Sequence, residues 1–429
     1  MDKRIELLAP AGNFEKLKVA FRFGADAAYL GGKDFSLRSF ADNFSAEELR
    51  AAVEYAHARG KKVYVTANIF AKNADFAALA DYFRYLQEIG ADAALVTDAG
   101  AFSLARQVAP ELPLHVSTQA NTTNKYAAKF WQEQGAERVV LARELSLAVW
   151  ARELSLSEIA EIHEYCPGLE LEAFVHGAMC ISYSGRCLLS NYFAGRDSNR
   201  GECVQACRWK YSVRALREEG EGGECAVEED GRGSYIFNSK DLNMLPYLDR
   251  LAAAGVCSFK IEGRMKSACY LATVVNAYRR ALDGTLSVPE AQEELNKVAH
   301  RAFTAAYALG ENAQTVNYSD SQEAGTRAYV ADVLEDSVPC GNTENGRAVS
   351  GAAGGKEGAA CALVQMRGRF RVGDILEILS PSDSFNRTFA VEEMTNEEGE
   401  RVEDAKLVMQ KLRLRCPYPL RAGDILRKV

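Results

Sequence analysis

The chain has 429 residues and a formal net charge of −8; 48% of its residues are hydrophobic and 26% are charged. That balance excludes a disordered, collagen-like or coiled-coil chain. No apolar run reaches the roughly 18 residues of a membrane span, and the start MDKRIELLAPAGNF lacks the apolar core of a secretory signal. The length implies two to three domains of about 150 residues, in a protein expected to be cytoplasmic and without membrane contact. Eleven cysteines are many for a reducing compartment, where disulfides are not expected. They are either small buried hydrophobes or, in part, metal ligands. The acidic balance, taken alone, argues against a nucleic-acid partner.

Apolar runs predict strands beginning near Ile5, Ala27, Lys62, Ala93, Leu114, Arg138, Leu169 and Ser258, most of them followed by a helix. Asn13 is placed to cap the first helix. Ser45 and Glu48 have the spacing of a capping box for the second. Gly24, Gly60, Gly90, Gly135 and Gly255 stand where left-handed helix ends belong. Continuous apolar strands joined by helices imply a parallel sheet covered on both faces. Eight units favour a TIM-like (β/α)8 barrel over residues 1–327. No G-x-G-x-x-G follows a strand, which leaves a dinucleotide site without support.

From Ala328 to Val429 the helical period disappears and short β-rich runs replace it: AYVADVL, ALVQM, DILEIL, FAVEEM and KLVMQKL. Two segments repeat, RFRVGDILEI and PLRAGDILRK, each with a Gly-Asp turn (Gly373-Asp374 and Gly423-Asp424). The expectation is a small C-terminal β-barrel over 328–429. Arg217–Arg232, with seven acids and two bases, reads as a solvated insertion in the first domain, and Cys340–Gly358 as a flexible loop.

Four cysteines crowd into one stretch, Cys180, Cys187, Cys203 and Cys207, within a Gly-rich segment beyond a strand end, where active sites of barrel enzymes lie. Four thiolates suit zinc or an iron–sulfur cluster, and the uneven spacing favours the cluster; buried free thiols or a redox thiol are the alternative. Cys166, Cys225, Cys257, Cys269, Cys340, Cys361 and Cys416 read as core or incidental. Polar residues at strand ends, among them Asn68, Asp98, Ser117, Gln119, Arg143, Glu144, Lys260, Glu262, Arg264 and Lys266, suit a small polar or anionic substrate, or else a salt-bridged barrel interior. Lys260 and Glu262 share strand parity and point the same way. His115 and His176 read as core residues. No serine-hydrolase, zinc-protease or phosphate-loop motif occurs. Basic and aromatic residues interleave in CRWKY, Cys207 to Tyr211, a pattern compatible with single-stranded RNA. Local charge runs from −6 over Glu392–Asp404 to +6 over Lys406–Val429, so the net −8 no longer weighs against RNA.

With EAFVHGAMCISYSGRCLLS (Glu172–Ser190), ELLAPAGN (Glu6–Asn13), VTANIF (Val65–Phe70), VSTQANTTN (Val116–Asn124), GECVQACRWKY (Gly201–Tyr211), NSKDLNML (Asn238–Leu245) and SFKIEGRMKS (Ser258–Ser267), the chain resembles peptidase family U32, the collagenase-like peptidases, over essentially its whole length. The resemblance implies a C-terminal barrel like those of translation factors. It also implies a 4Fe–4S cluster on Cys180, Cys187, Cys203 and Cys207, with zinc as the alternative. The activity it implies is hydroxylation of tRNA to 5-hydroxyuridine at the wobble position, with prephenate as co-substrate; hydroxylation of another RNA such as 23S rRNA, or a collagenase-like peptidase, stands beside it. It implies no catalytic residue by number. Asn68, Gln119, Lys260, Glu262 and Arg264 are the expected substrate-binding residues.

Overall fold

In the computed structural model the described residues are 5–36, 43–142, 155–209, 239–306, 325–339 and 360–429, with the backbone of two short strands at 343–344 and 347–348. Arg143, Glu144, Lys210, Tyr211, Cys225, Cys340 and the insertion 217–232 lie outside them, as does most of 340–358. By internal contacts the chain forms two compact units. One comprises Met1–Phe21, Ala25–Lys266 and His300–Glu323; the other comprises Arg22–Gly24, Ser267–Ala299 and Ala324–Val429.

The first unit is a closed barrel. Its strands are β1 (Glu6–Pro10), β2 (Ala27–Gly31), β3 (Lys62–Ala67), β4 (Ala93–Val96), β5 (Leu114–Val116), β6 (Arg138–Val140), β7 (Glu170–Ala178) and, after the short β8 (Asp241–Asn243), β9 (Val256–Ile261). All eight expected strands are present. Neighbours pair in parallel from β1 to β7, and β9 closes the ring by pairing in parallel with both β7 and β1. β8 runs antiparallel to the end of β7, and β10 (Phe303–Thr304) pairs with β8.

Helices α1 (Phe14–Arg22), α2 (Ala46–His57), α3 (Phe76–Glu88), α4 (Ala99–Val108), α5 (Lys125–Glu133) and α6 (Leu156–Tyr165) alternate with the strands; α7 (Leu189–Ala194) and α8 (Leu248–Ala253) are short. The Asn13 cap and the Ser45–Glu48 capping box form as expected. Asp98, expected at the barrel mouth, instead caps α4 by accepting the Ala101 N–H at 2.9 Å.

The barrel interior is charged rather than apolar at one level. Ser258 stands opposite both Glu6 and Glu172 in the closing register. Arg138 donates to Glu6 at 2.6 Å and Glu172 at 3.1 Å, and Lys260 Nζ meets Glu172 Oε1 at 2.7 Å. Tyr64 and Ser258 hydroxyls donate to Glu6 at 2.6 and 2.8 Å. Glu172 and Ser258 are fully buried, and the Glu172 carboxylate is met by both cations and by the Ser258 hydroxyl.

The second unit carries α9 (Ala268–Leu282), α10 (Val288–Leu295) and a β-rich tail: β11 (Ala328–Val333), β12 (Val338–Pro339), β13 (Thr343–Glu344), β14 (Arg347–Ala348), β15 (Ala360–Met366), β16 (Phe370–Arg371), β17 (Ile375–Leu379), β18 (Thr388–Ala390), β19 (Met394–Thr395), β20 (Asp404–Ala405), β21 (Lys411–Cys416) and β22 (Ile425–Lys428). The main sheet is a curled antiparallel one of order β18-β17-β22-β11-β15-β21-β19, packed over Val330, Val364, Phe370, Leu376, Leu412, Leu414 and their neighbours. The sequence repeat becomes two equivalent turns. In each, the Asp carboxylate accepts an N–H three residues back, from Arg371 at 2.9 Å and from Arg421 at 2.8 Å, and the following strands β17 and β22 pair with each other. Of KLVMQKL only the end is strand: β21 starts at Lys411, and Leu407, Val408 and Met409 lie exposed before it. Cys361, expected as an incidental thiol, is disulfide-bonded.

Glu377 and Arg427 face each other in the β17–β22 register and pair at 2.6 Å, and Arg427 reaches Glu294 of α10, also at 2.6 Å. Lys297 adds contacts to Glu377 at 3.0 Å and to Asn386 at 2.9 Å. Burial pushes Glu294 up, but Arg427 and then Lys297 overcome it and hold the carboxyl below its usual range. Its contribution to stability is therefore present above the unfolded-state value of about 4.5 and is lost as the pH falls through and below it. Arg427→Leu leaves two buried carboxylates short of a partner. It should cost about 3–5 kcal/mol in urea denaturation of the full chain near neutral pH, with the difference from wild type shrinking in acid; an unchanged midpoint would show that the cluster contributes nothing.

Candidate functional site

The polar residues that follow β3, β4 and β5 meet. Asn68 Nδ2 donates to Ser117 Oγ at 3.4 Å, Ser117 Oγ to Gln119 Oε1 at 3.3 Å, and Thr97 Oγ1 to the same Gln119 oxygen at 3.1 Å. Asn68 Oδ1 is buried without a hydrogen-bond partner among the described residues. Asn68 and Gln119 thus stand together at the carboxyl ends of the strands, where this fold carries its sites. Glu262 follows β9 and accepts the Tyr29 hydroxyl at 2.9 Å; Arg264 donates to Ser36 at 2.8 Å and also to Asn43. Lys260 lies deeper, buried against Glu172 and 4.5 Å from the Tyr29 ring centroid. Its charge belongs to the barrel interior, not to the mouth. His115 is also interior: burial, with Arg138 and Lys260 nearby, holds its imidazole far below the ordinary value, so it stays neutral.

The cysteine segment leaves the end of β7 and lies over this amide group. Gly177, at φ +108°, lets β7 pass close to β9; a Cβ there would come within 2.3 Å of the Glu262 carbonyl oxygen. At Gly185 a Cβ would stand 3.2 Å from that of Gln119. Asn121 Nδ2 donates to the Ser184 carbonyl at 3.1 Å. Further on, Arg200 grips Asp75 with two nitrogens at 2.8 and 3.1 Å and donates to the Phe70 carbonyl at 2.7 Å. Within the segment, Ser198 and Asn199 side chains donate to the Cys187 carbonyl at 2.8 and 3.2 Å, and Ser190 Oγ accepts the Val204 N–H at 3.2 Å.

Cys180, Cys187, Cys203 and Cys207 are half-buried free thiols. Burial raises the Cys207 thiol to about 11; Arg208 opposes this, and Cys180, Cys203 and Cys187 add to it, so Cys207 stands within electrostatic reach of the other three. As the side chains lie, no three His, Cys, Asp or Glu residues among those described stand at metal-ligand spacing. Cys166, Cys269 and Cys416 are buried, and Cys257 is half-buried with its thiol donating to the Leu171 carbonyl at 3.5 Å.

Beside the cysteines is a charged group that the sequence spreads over 93 positions, from Arg208 to Arg301. Asp241 pairs with Arg301 and also accepts its backbone N–H at 3.1 Å. Burial pushes Asp241 up, but Arg301 more than offsets it and the carboxylate stays ionised. Lys266 and Arg208 are both pushed down, first by burial and then by cations of the same group: Arg301 and Arg208 act on Lys266, and Arg301 on Arg208. Arg208 also feels Cys207 and Cys180. Three cations about one carboxylate leave an excess of positive charge next to the thiols. His176, on β7 beside Asp241, is lowered to about 3, mainly by burial, and is neutral at physiological pH. Sequence patterning pointed to Lys266 and to the basic run at Arg208. It gave no sign of Arg301 or Asp241, which converge only through the β8 and β10 pairings.

Residues 12–318 match the family model described as Peptidase family U32, and residues 349–427 match that of the Peptidase family U32 C-terminal domain. The chain is 36% identical to "tRNA hydroxylation protein P1" of Bacillus subtilis, over 99% of this chain and 95% of that one. It is also 36% identical to "tRNA hydroxylation protein P" of Escherichia coli, over 92% and 90% respectively. It is 35% identical to the "23S rRNA 5-hydroxycytidine C2501 synthase" of Escherichia coli, over 66% of this chain and 40% of that one.

Arg200 ties the cysteine segment to Asp75 and to the Phe70 carbonyl. Arg200→Ala should raise amide hydrogen exchange severalfold across 198–203 while leaving the barrel strands unchanged. Equal exchange in both proteins would show that the Asp75 and Phe70 contacts do not anchor it.

Proposed function

The chain belongs to peptidase family U32, and from that membership we propose that it is an RNA hydroxylation enzyme acting on tRNA, forming 5-hydroxyuridine at the wobble position with prephenate as co-substrate. One observation carries the reading: the likeness to two bacterial tRNA hydroxylation proteins runs through both the barrel and the β-rich tail.

The residues present are compatible with a bound iron–sulfur cluster at the mouth. Four thiols in one segment form a soft donor set suited to a 4Fe–4S cluster, or to zinc. Each thiol must lose its proton to ligate, which the raised Cys207 thiol does only against strong metal binding. When bound, such a cluster supplies electron transfer or an open metal site. The chain's own groups do the rest. Asn68, Ser117 and Gln119 offer hydrogen-bonding edges at the barrel mouth. Arg208, Lys266 and Arg301 offer the excess positive charge that a dicarboxylate such as prephenate requires. His176, neutral, can exchange hydrogen bonds there without adding charge. Arg264, held by Ser36 and Asn43, shapes the wall between β2 and β9.

Two measurements test this. Mass spectrometry of tRNA nucleosides from cells lacking the gene should show loss of 5-hydroxyuridine and its derivatives, and an unchanged nucleoside profile would contradict the reading. Protein purified without oxygen should carry iron that Cys180→Ser removes and Cys257→Ser leaves in place; zinc without iron, or iron lost with Cys257→Ser, would overturn the cluster assignment.

A further inference from the structure

Helix α7 has two unlike faces. Ser190 is buried and bonds both to the Val204 N–H and, at 3.9 Å, to the Cys203 sulfur, so this face holds the cysteine segment together. Large apolar groups on and just before the helix stand in solvent: Leu188 is 70% exposed, Tyr192 82%, and Phe193 43%. Trp209, two residues beyond Cys207, is also 43% exposed. The Phe193 ring lies 5.0 Å from that of Tyr192, nearly perpendicular, and 6.4 Å from that of Trp209. Three neighbouring aromatic rings on an open surface, beside small polar anchors that already hold the segment, are not needed to hold the fold. Contiguous apolar surface of this kind marks an interaction site.

Charge selects the partner. Two arginines of this segment, Arg186 and Arg196, stand exposed beside the rings, whereas Arg200 is tied to Asp75 and Arg208 stands with Arg301 and Asp241. Rings with flanking guanidinium groups are the recurring means of holding unpaired nucleotides: bases stack on the π-faces while cations meet the phosphates. We propose that Tyr192, Phe193 and Trp209 form a stacking platform for unpaired RNA nucleotides, with Arg186 and Arg196 holding the backbone, and that it leads a single-stranded loop to the barrel mouth. The proposal rests on the RNA reading above and assigns the surface that delivers the substrate.

The test uses the full-length protein with a fluorescein-labelled RNA hairpin carrying an anticodon-type loop, and the same strand annealed to its complement as a blunt duplex. In fluorescence anisotropy, Tyr192→Ala and Trp209→Ala should each weaken hairpin binding by about five- to 150-fold and leave the duplex nearly unaffected. Trp209→Phe should retain most of the affinity. Hairpin, but not duplex, should quench tryptophan emission in the wild type, and the quench should vanish in Trp209→Phe. Iron content and thermal midpoint should match wild type in all three variants, which separates lost stacking from a damaged cysteine segment. Hairpin binding at wild-type strength in both alanine variants overturns the platform while the RNA reading stands. A wild-type protein that binds neither RNA overturns both.

Discussion

Glu172 is the residue on which the barrel turns. Its carboxylate is fully buried and lies between Arg138 of β6 and Lys260 of β9, with Ser258 beside it and Glu6 of β1 sharing the same guanidinium. A lone carboxylate at that depth would be driven to protonate. Here each charge has its counter-charge on a different strand, so the network is complete only when β1, β6, β7 and β9 have closed around it. The polar contacts fix the register of the seam as well as its stability, because a slip of one residue would turn Glu172 away from both cations.

β7 carries that constraint outward. The strand that holds Glu172 inside continues to Gly177, where it crosses close to Glu262, and ends just before Cys180. A rigid seam therefore sets where the cysteine segment begins, and the ties from Asn121, Asp75 and Phe70 set where it lies. The strand ends supply fixed amides and hydroxyls, while the groups suited to chemistry, namely thiols, cations and exposed rings, sit on the segment and on the β8 and β10 excursions. Barrel enzymes divide labour this way: a closed sheet for position and loops for reaction.

The sequence was most legible where burial dictates composition. Each of the eight barrel strands is a mainly apolar run, and each predicted cap has its side chain at the right offset, so period and capping chemistry were enough. Buried charge was not legible. Glu172, Arg138 and Glu6 look like surface residues in a string of letters, and Lys260 was expected at the mouth because parity shows that a side chain points inward but not which partner meets it there. Arg301 and Asp241 form one site across a long stretch of chain, and local patterning cannot register that. KLVMQKL misled for a different reason: its apolar residues imitate a strand, yet Met409 takes a positive φ and Leu407 and Val408 remain in solvent. The four clustered cysteines stood out by spacing alone, whereas what they hold depends on chemistry that spacing does not contain.

These features combine into one account: a charged seam positions β7, β7 positions four cysteines at the mouth, and the exposed rings of that segment are the proposed contact for RNA. Returning variants of the chain to cells that lack it tests the account most directly, with hydroxylated uridine measured per tRNA. Wild type and Cys257→Ser should restore the modification, and Cys180→Ser should not. Full restoration by Cys180→Ser would contradict the assignment of the chemistry to the cysteine site.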